Sequence, residues 1–471
     1  MRYRYAILAG TIGLSWFSLA HAQTPSDYIF KARLVAKNTA NIDAALTQIE
    51  AKAYGIRIPK ENHESAKATV ESTLLANRIA LKAEGVFSEP PKGLAIKKDK
   101  SEKPKVVVKE LYSSKIPGNA KEWKKLGLDF NKAKVRKGKY YQRLKNGWEV
   151  EYTVKPKAQA KIRSTLQQAH ARRGAVVLIN PKTGSVEAMV GVDSSRKLDY
   201  HMVTRADAPS ASVFKIITAS ALLSEGYQLD AQTCYHGGRS YLSERNIKGD
   251  KKRDHKCATL TSALAFSINS IFAKLAYRSL TRVELSKAAS KFAYDQNIPF
   301  EFEIARSRTT FPRNKIERAR AAAGFRHSKL SPLHSSLIAA SIANHGRMMK
   351  PFIVKRVRDK SGKVIHRSKP QLLKRVTSAN IAERLWKSMQ ETTKRGTARK
   401  YFRKNNFSIA SGKTGTLSDQ SPYTQYSWFA GSAEKAGKRV AVGALICNPE
   451  KWRIKGGYAA SQALRSYFSS L

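Results

Sequence analysis

From Lys139 onward the apolar residues fall into short, regular runs. Tyr140 to Leu144 and Trp148 to Val154 flank Asn146-Gly147, a hairpin signal. Ala158, Ile162 and Leu166 repeat at helical spacing and predict a helix over 156–171. Ala175 to Ile179 and Val186 to Val192 predict two strands joined by the turn Pro181-Lys182-Thr183-Gly184. A segment starting near Ser212 then carries Ile216, Ile217, Ala219, Leu222 and Leu223, apolar on nearly every face, as in a buried helix. Residues 259–345 read as mostly helical, interrupted at Pro299, Pro312 and Pro332. Residues 351–366 predict a hairpin turning near Gly362, and 378–394 a helix. Three strands close the pattern: Ser408 to Ala410 into Thr416, Tyr426 to Ala430, and Val440 to Cys447. A helix over Ala459 to Phe468 follows. Strands at both ends with helices between predict an α+β domain over 139–471, one antiparallel sheet with a helical lobe.

The pattern upstream differs. Ile42, Ala45, Leu46, Ile49 and Ala53 form a helical stripe that stops at Gly55, and Val70, Leu74 and Leu81 a weaker one that stops at Gly85. Residues 87–137 carry Pro90-Pro91, Lys97-Lys98, Lys100, Lys103 and Lys105, and read as a basic linker or a surface-hugging segment. The chain therefore divides into a small, mostly helical, basic region over 23–138 and the α+β domain. Arg2 and Arg4 precede the apolar run Tyr5 to Leu19 and the small-x-small pattern Ala20-His21-Ala22, so residues 1–22 read as a secretory signal peptide. The alternative is an uncleaved membrane anchor, although the run is short of the ~20 apolar residues of a span.

Charge sharpens this reading. The 471 residues carry 87 Lys and Arg against 35 Asp and Glu, a formal net charge of +52 spread along the whole length. Such a balance favours nucleic acid, an anionic membrane face or an anionic wall polymer. Export to the cell envelope removes nucleic acid from that set. Of the three cysteines, Cys234 and Cys257 are disulfide candidates in an oxidising compartment. His236 and His255 flank them, so a structural zinc site is the alternative. Cys447 sits in an apolar run and reads as a buried strand residue.

The candidate chemistry lies in three short motifs: Ser212-Val213-Phe214-Lys215, Ser267-Ile268-Asn269, and Lys413-Thr414-Gly415 followed by Thr416. Residues three apart share a helical face, so Ser212 and Lys215 can meet. A lysine on a buried helix is pushed toward its neutral form, and a neutral amine beside a hydroxyl makes a nucleophile. Each motif recurs elsewhere: Ser194 to Lys197, Ser432 to Lys435, Ser378-Ala379-Asn380 and Lys182-Thr183-Gly184 fit the same patterns. Ser194 and Ser432 read as turn-like, charged segments with no apolar helix behind them, and Lys182-Thr183-Gly184 sits in a turn ahead of the nucleophile.

The three motifs in this order resemble those of serine β-lactamases and penicillin-binding proteins. The chain resembles a monofunctional penicillin-binding protein, a serine D,D-transpeptidase of the penicillin-recognising acyl-serine transferases, over about residues 139–471. The resemblance implies a β-lactamase/transpeptidase-like fold. It implies catalytic roles for Ser212 as the acylated nucleophile, Lys215 as its base, Ser267 as a proton relay, Asn269 as a hydrogen-bonding anchor and Lys413 as a source of positive potential. Thr414, Gly415 and Thr416 would bind substrate, the two hydroxyls taking the donor carboxylate, with the N–H groups of Ser212 and Thr416 as an oxyanion hole. No metal or other cofactor is implied. The implied partners are peptidoglycan stem peptides and, as covalent inhibitors, β-lactams. Ser-Ile-Asn departs from the Ser-Asp-Asn of class A β-lactamases, and no glutamate motif suits a deacylating water, which argues against rapid hydrolysis. Two alternatives stay open: a D,D-carboxypeptidase or endopeptidase of the same fold, and a basic wall-binding scaffold with little turnover.

Overall fold

The computed structural model describes residues 115–238, 241–404 and 406–470. They belong to a unit spanning Lys109–Leu471. The expected signal peptide, the paired helices of 24–86 and the basic stretch up to residue 114 lie outside the described residues. Among the described residues no helix is long and apolar enough to cross a membrane.

Helix α1 (Ala120–Lys125) is capped by Asn119, whose side chain accepts from the Glu122 amide. Strands β1 (Lys134–Arg136), β2 (Lys139–Arg143) and β3 (Glu149–Tyr152) follow. Trp123, Leu126, Leu128 and Phe130 join the same hydrophobic cluster as the rest of the domain. The stretch before Lys139, read from sequence as part of a separate basic region, is thus in part packed core. Its lysines had masked four well-spaced apolar anchors.

Helix α2 (Pro156–Gln167) leads into β4 (Arg173–Ile179) and β5 (Val186–Val192). Helix α3 (Lys215–Ser224) starts right after the short 3-10 helix Ala211–Phe214. Strands β6 (Gln232–Tyr235) and β7 (Lys256–Thr259) form a small hairpin. The helical lobe continues with α4 (Leu260–Phe266), α5 (Asn269–Ser279), α6 (Arg282–Lys291), α7 (Lys315–Ala322) and α8 (Pro332–Ala343). Then come β8 (Val354–Arg358), β9 (Val364–Arg367), α9 (Ala379–Lys394), and the long strands β10 (Ile409–Gln420), β11 (Tyr423–Lys435) and β12 (Lys438–Asn448). Helix α10 (Gly456–Phe468) ends the described chain.

The central sheet has the order β10-β11-β12-β4-β5, antiparallel throughout. Both of its faces are buried, which is why β4 reads as an unbroken apolar run. Ala175, Val177 and Ile179 face the helical lobe, while Val176 and Leu178 face α2 and α10. Helix α8 lies against the sheet with all twelve residues buried. The expectation of one sheet needs correction. The hairpin around Asn146-Gly147 does not join the central sheet. It pairs with β8 in a second five-stranded sheet, β1-β2-β3-β8-β9. Hairpin signals are local, whereas the choice of partner strand is made by contacts 200 residues away, such as Thr153 with Ile353.

Two of the decoy motifs acquire structural roles. Ser378 caps α9, its hydroxyl accepting from the Ile381 amide. Ser432 is not in a turn, as its charged neighbours implied. It is buried in β11, hydrogen-bonded to Ser411 and Trp386.

Cys234 and Cys257 are joined in a disulfide across β6 and β7. With both thiols bonded, His236 is left to pair with Asp254, Nδ1 to Oδ1 at 2.6 Å. The hairpin is tied to α5: buried Lys274 donates to the Cys234 carbonyl and to Asp254 Oδ2, both at 2.7 Å, and Ser270 donates to the Gly237 carbonyl at 2.9 Å. The bridge spans 23 residues of sequence. A loop of that size restricts the unfolded chain by about 3 kcal/mol. Reduction is therefore expected to lower the melting midpoint by several degrees in a thermal scan with and without reductant; unchanged midpoints would refute a stabilising bridge.

Candidate active site

The nucleophile candidate sits at the junction of two helix types. Ser212 lies in the 3-10 helix Ala211–Phe214 and Lys215 opens α3. At three residues per turn, side chains three apart eclipse each other, so this local geometry aligns the pair more closely than an α-helix would. Ala211, just before, has φ +48, and Ser267 has φ +59, both left-handed. Such backbone is costly for residues other than glycine and tends to persist where the surroundings hold it. At Ala211 the surroundings include Gly324: a Cβ there would lie 2.3 Å from the Ala211 carbonyl oxygen. Gly415 closes the other side. A side chain at 415 would begin 3.2 Å from the Ala211 Cβ and 3.3 Å from the Ser212 nitrogen.

Lys215 is fully buried. Its Nζ lies 2.8 Å from Ser212 Oγ, 2.7 Å from Asn269 Oδ1 and 2.5 Å from the Ala323 carbonyl oxygen. Burial, reinforced by the charge of Lys413, holds its pKa well below the ordinary lysine range. In its neutral form the amine has two N–H groups and one lone pair. Asn269 and Ala323 present carbonyl oxygens, which can only accept, so they take the two N–H groups. The lone pair is left for the Ser212 O–H. Lys413 is buried too. Its Nζ donates to the Thr414 carbonyl at 3.0 Å, and burial brings its pKa down to about 7.

The motif residues converge on one cleft of about 830 Å³. Ser212, Ser267, Asn269, Thr414 and Thr416 line it, while Lys215 and Lys413 lie buried behind the surface and Gly415 packs on Ala211. Strand β10 is an edge of the central sheet, so its free side presents backbone groups to which an extended peptide can add as a strand. Cys234 and Cys257 do not line the cleft. Sequence reasoning missed the Ala323 carbonyl and also Thr397, whose hydroxyl is 2.6 Å from that of Thr414. Gly324, a glycine closing α7, was the one available signal for the first; nothing local marks the second.

A rate that depends on charged Lys413 has a sign in pH. Its positive form is complete only well below pH 7 and is lost as pH rises through about 7. The second-order rate of serine acylation is expected to fall on an alkaline limb with a midpoint near 7, and Lys413→Met to remove that limb along with most of the rate. A limb that survives in Lys413→Met would assign it to another group.

Residues 174–468 match the family described as penicillin binding protein transpeptidase domain. The peptidoglycan D,D-transpeptidase PbpA of Mycolicibacterium smegmatis is 26% identical over 339 residues, covering 64% of this chain and 67% of that protein. The PbpA of Mycobacterium tuberculosis is 26% identical over 350 residues, covering 67% of this chain and 70% of its own length. Among solved structures, the crystal structure of PBPA from Mycobacterium tuberculosis superposes with a TM-score of 0.58 at 23% identity, covering 69% of this chain and 80% of that one. The ceftriaxone acyl-enzyme complex of that protein gives a TM-score of 0.59 over the same shares, at 23% identity.

Proposed function

The chain belongs to the penicillin-binding protein transpeptidase family, and from that premise we propose that it is a peptidoglycan D,D-transpeptidase of the cell envelope. Ser212 attacks the carbonyl between the two D-alanines of a stem peptide. Its O–H proton passes to Lys215 Nζ, the tetrahedral intermediate collapses, and D-alanine leaves as the amine with a proton relayed through Ser267. An amine on a second stem peptide then attacks the acyl-serine ester. The new amide is the cross-link and Ser212 regains its proton. The N–H groups of Ser212 and Thr416 stabilise the oxyanion, a contribution worth about 3 kcal/mol per donor. Thr414 and Thr416 take the terminal carboxylate. The observation that carries the reading is the buried Lys215 amine, with two carbonyl oxygens on its N–H groups and the Ser212 hydroxyl 2.8 Å away.

The apolar run Tyr5 to Leu19 and the Ala20-His21-Ala22 pattern support export with cleavage after residue 22 and a periplasmic site of action. The net charge of +52 supports contact with anionic wall or membrane polymers.

The test supplies a D-Ala-D-Ala peptide with and without an amine acceptor. Cross-linked product with the acceptor present is the expected result. Free D-alanine with no cross-linked product would assign the protein as a carboxypeptidase instead. No release and no covalent β-lactam adduct would leave the wall-binding scaffold.

A further inference from the structure

The charge around the cleft is one-sided. Arg326, Lys400 and Lys455 line it, and among the described residues no acidic side chain does. Arg326 reaches Asp419 at 3.4 Å. Lys400 and Lys455 have no acidic partner among the described residues. They come from separate elements, Lys400 from the short helix Arg399–Phe402 and Lys455 from the position capping α10. Each ammonium sits over a ring: Lys400 Nζ lies 5.0 Å from the Tyr401 centroid and Lys455 Nζ 4.4 Å from that of Trp452. Lys455 is half-buried, and burial together with the charge of Lys400 lowers its pKa. Holding two like charges together is unfavourable until an anion arrives between them.

Strand register shows which side of β10 they approach. Thr414 is opposite Phe429 and Thr416 is opposite Ser427, and directly opposed residues share a face of the sheet. Phe429 stacks on Phe402 at 5.1 Å, and Ser427 Oγ accepts from the Gly456 amide at 3.0 Å. Thr414 and Thr416 therefore point to the side from which Lys400 and Lys455 approach. Lys413 and Gly415 point to the other side, toward Ser212. The Thr397 hydroxyl, on Thr414, adds a third hydroxyl to the same side.

We propose that Lys400 and Lys455 are specificity-determining residues, which hold the free terminal carboxylate of the peptide against Thr414 and Thr416 and reject a blocked terminus. Neither lysine belongs to the three motifs. The inference rests on the transpeptidase reading above.

The test compares a D-Ala-D-Ala peptide ending in a free carboxylate with the same peptide ending in a carboxamide. Both are measured on the wild type and on Lys400→Met, Lys455→Met and the corresponding arginine variants. The ratio of kcat/KM for acid over amide is expected to fall about tenfold in each methionine variant, mostly through KM, as suits the loss of one charge-assisted contact. Arginine should restore most of it. Because both substrates meet the same protein, partial misfolding cancels from the ratio. An unchanged ratio in the methionine variants, with a wild type that releases D-alanine and takes up fluorescent penicillin, overturns the lysine assignment alone. A wild type that does neither overturns the transpeptidase reading and the subsite with it.

Discussion

Ser212→Ala is expected to abolish covalent labelling by a fluorescent penicillin while leaving the melting temperature within a degree or two of wild type. In the proposed mechanism the acyl bond forms at an oxygen that the variant lacks, so the expected loss is complete and not a matter of degree. Folding should tolerate the change. Ser212 is only partly buried, and alanine fits any backbone that serine occupies. Lys215 loses one of three partners but keeps Asn269 Oδ1 and the Ala323 carbonyl, so no buried polar atom is stranded. Gel fluorescence and intact mass after incubation provide the measurement. A stoichiometric adduct on folded Ser212→Ala would remove Ser212 from the chemistry altogether.

Lys215→Met should slow acylation about a thousandfold, within the range for loss of a positioned general base. The second consequence is a change in how stability depends on pH. The folded pKa of Lys215 is lowered, against about 10.4 in the unfolded chain. The wild type therefore bears the full cost of the buried lysine below the folded pKa. That cost declines as pH rises, because the unfolded state then binds more protons than the folded one, and it is gone above about 10.4. Part of the stability gained by the wild type on raising the pH should therefore be missing in Lys215→Met. Melting midpoints across pH 6 to 10 for both proteins would show this as a smaller slope in the variant. Equal slopes would mean that Lys215 keeps its charge in the fold and cannot be the base. Lys413 contributes a slope of the same sign in both proteins, above about 7.

Much of this molecule could be read before folding it. The strands β4 and β5, the helix α9 and the closing strands follow from periodicity, which is a local property. The three motifs follow from short spacings, and the apolar helix behind Ser212, with Asn269 and Lys413 following in order, is what separates Ser212 from Ser194 and Ser432. The N-terminal edge of the domain was less legible. Among so many lysines, Trp123, Leu126, Leu128 and Phe130 are too few to create a periodic signal, yet they bury as core.

The sequence by itself determined which residue types are candidates for the chemistry, a hydroxyl and an amine three positions apart ahead of an apolar helix. Only the tertiary structure decided the state of that amine. The Ala323 carbonyl that takes one of its N–H groups lies 108 residues away, and Asn269 is 54 residues away. Gly324, at a similar distance, leaves room for the Ala211 carbonyl in its left-handed turn, and Thr397, Lys400 and Lys455 line the cleft beside Thr414 and Thr416 from outside every motif. Desolvation and the approach of distant carbonyls are properties of the packed chain, and periodicity reports only on neighbours.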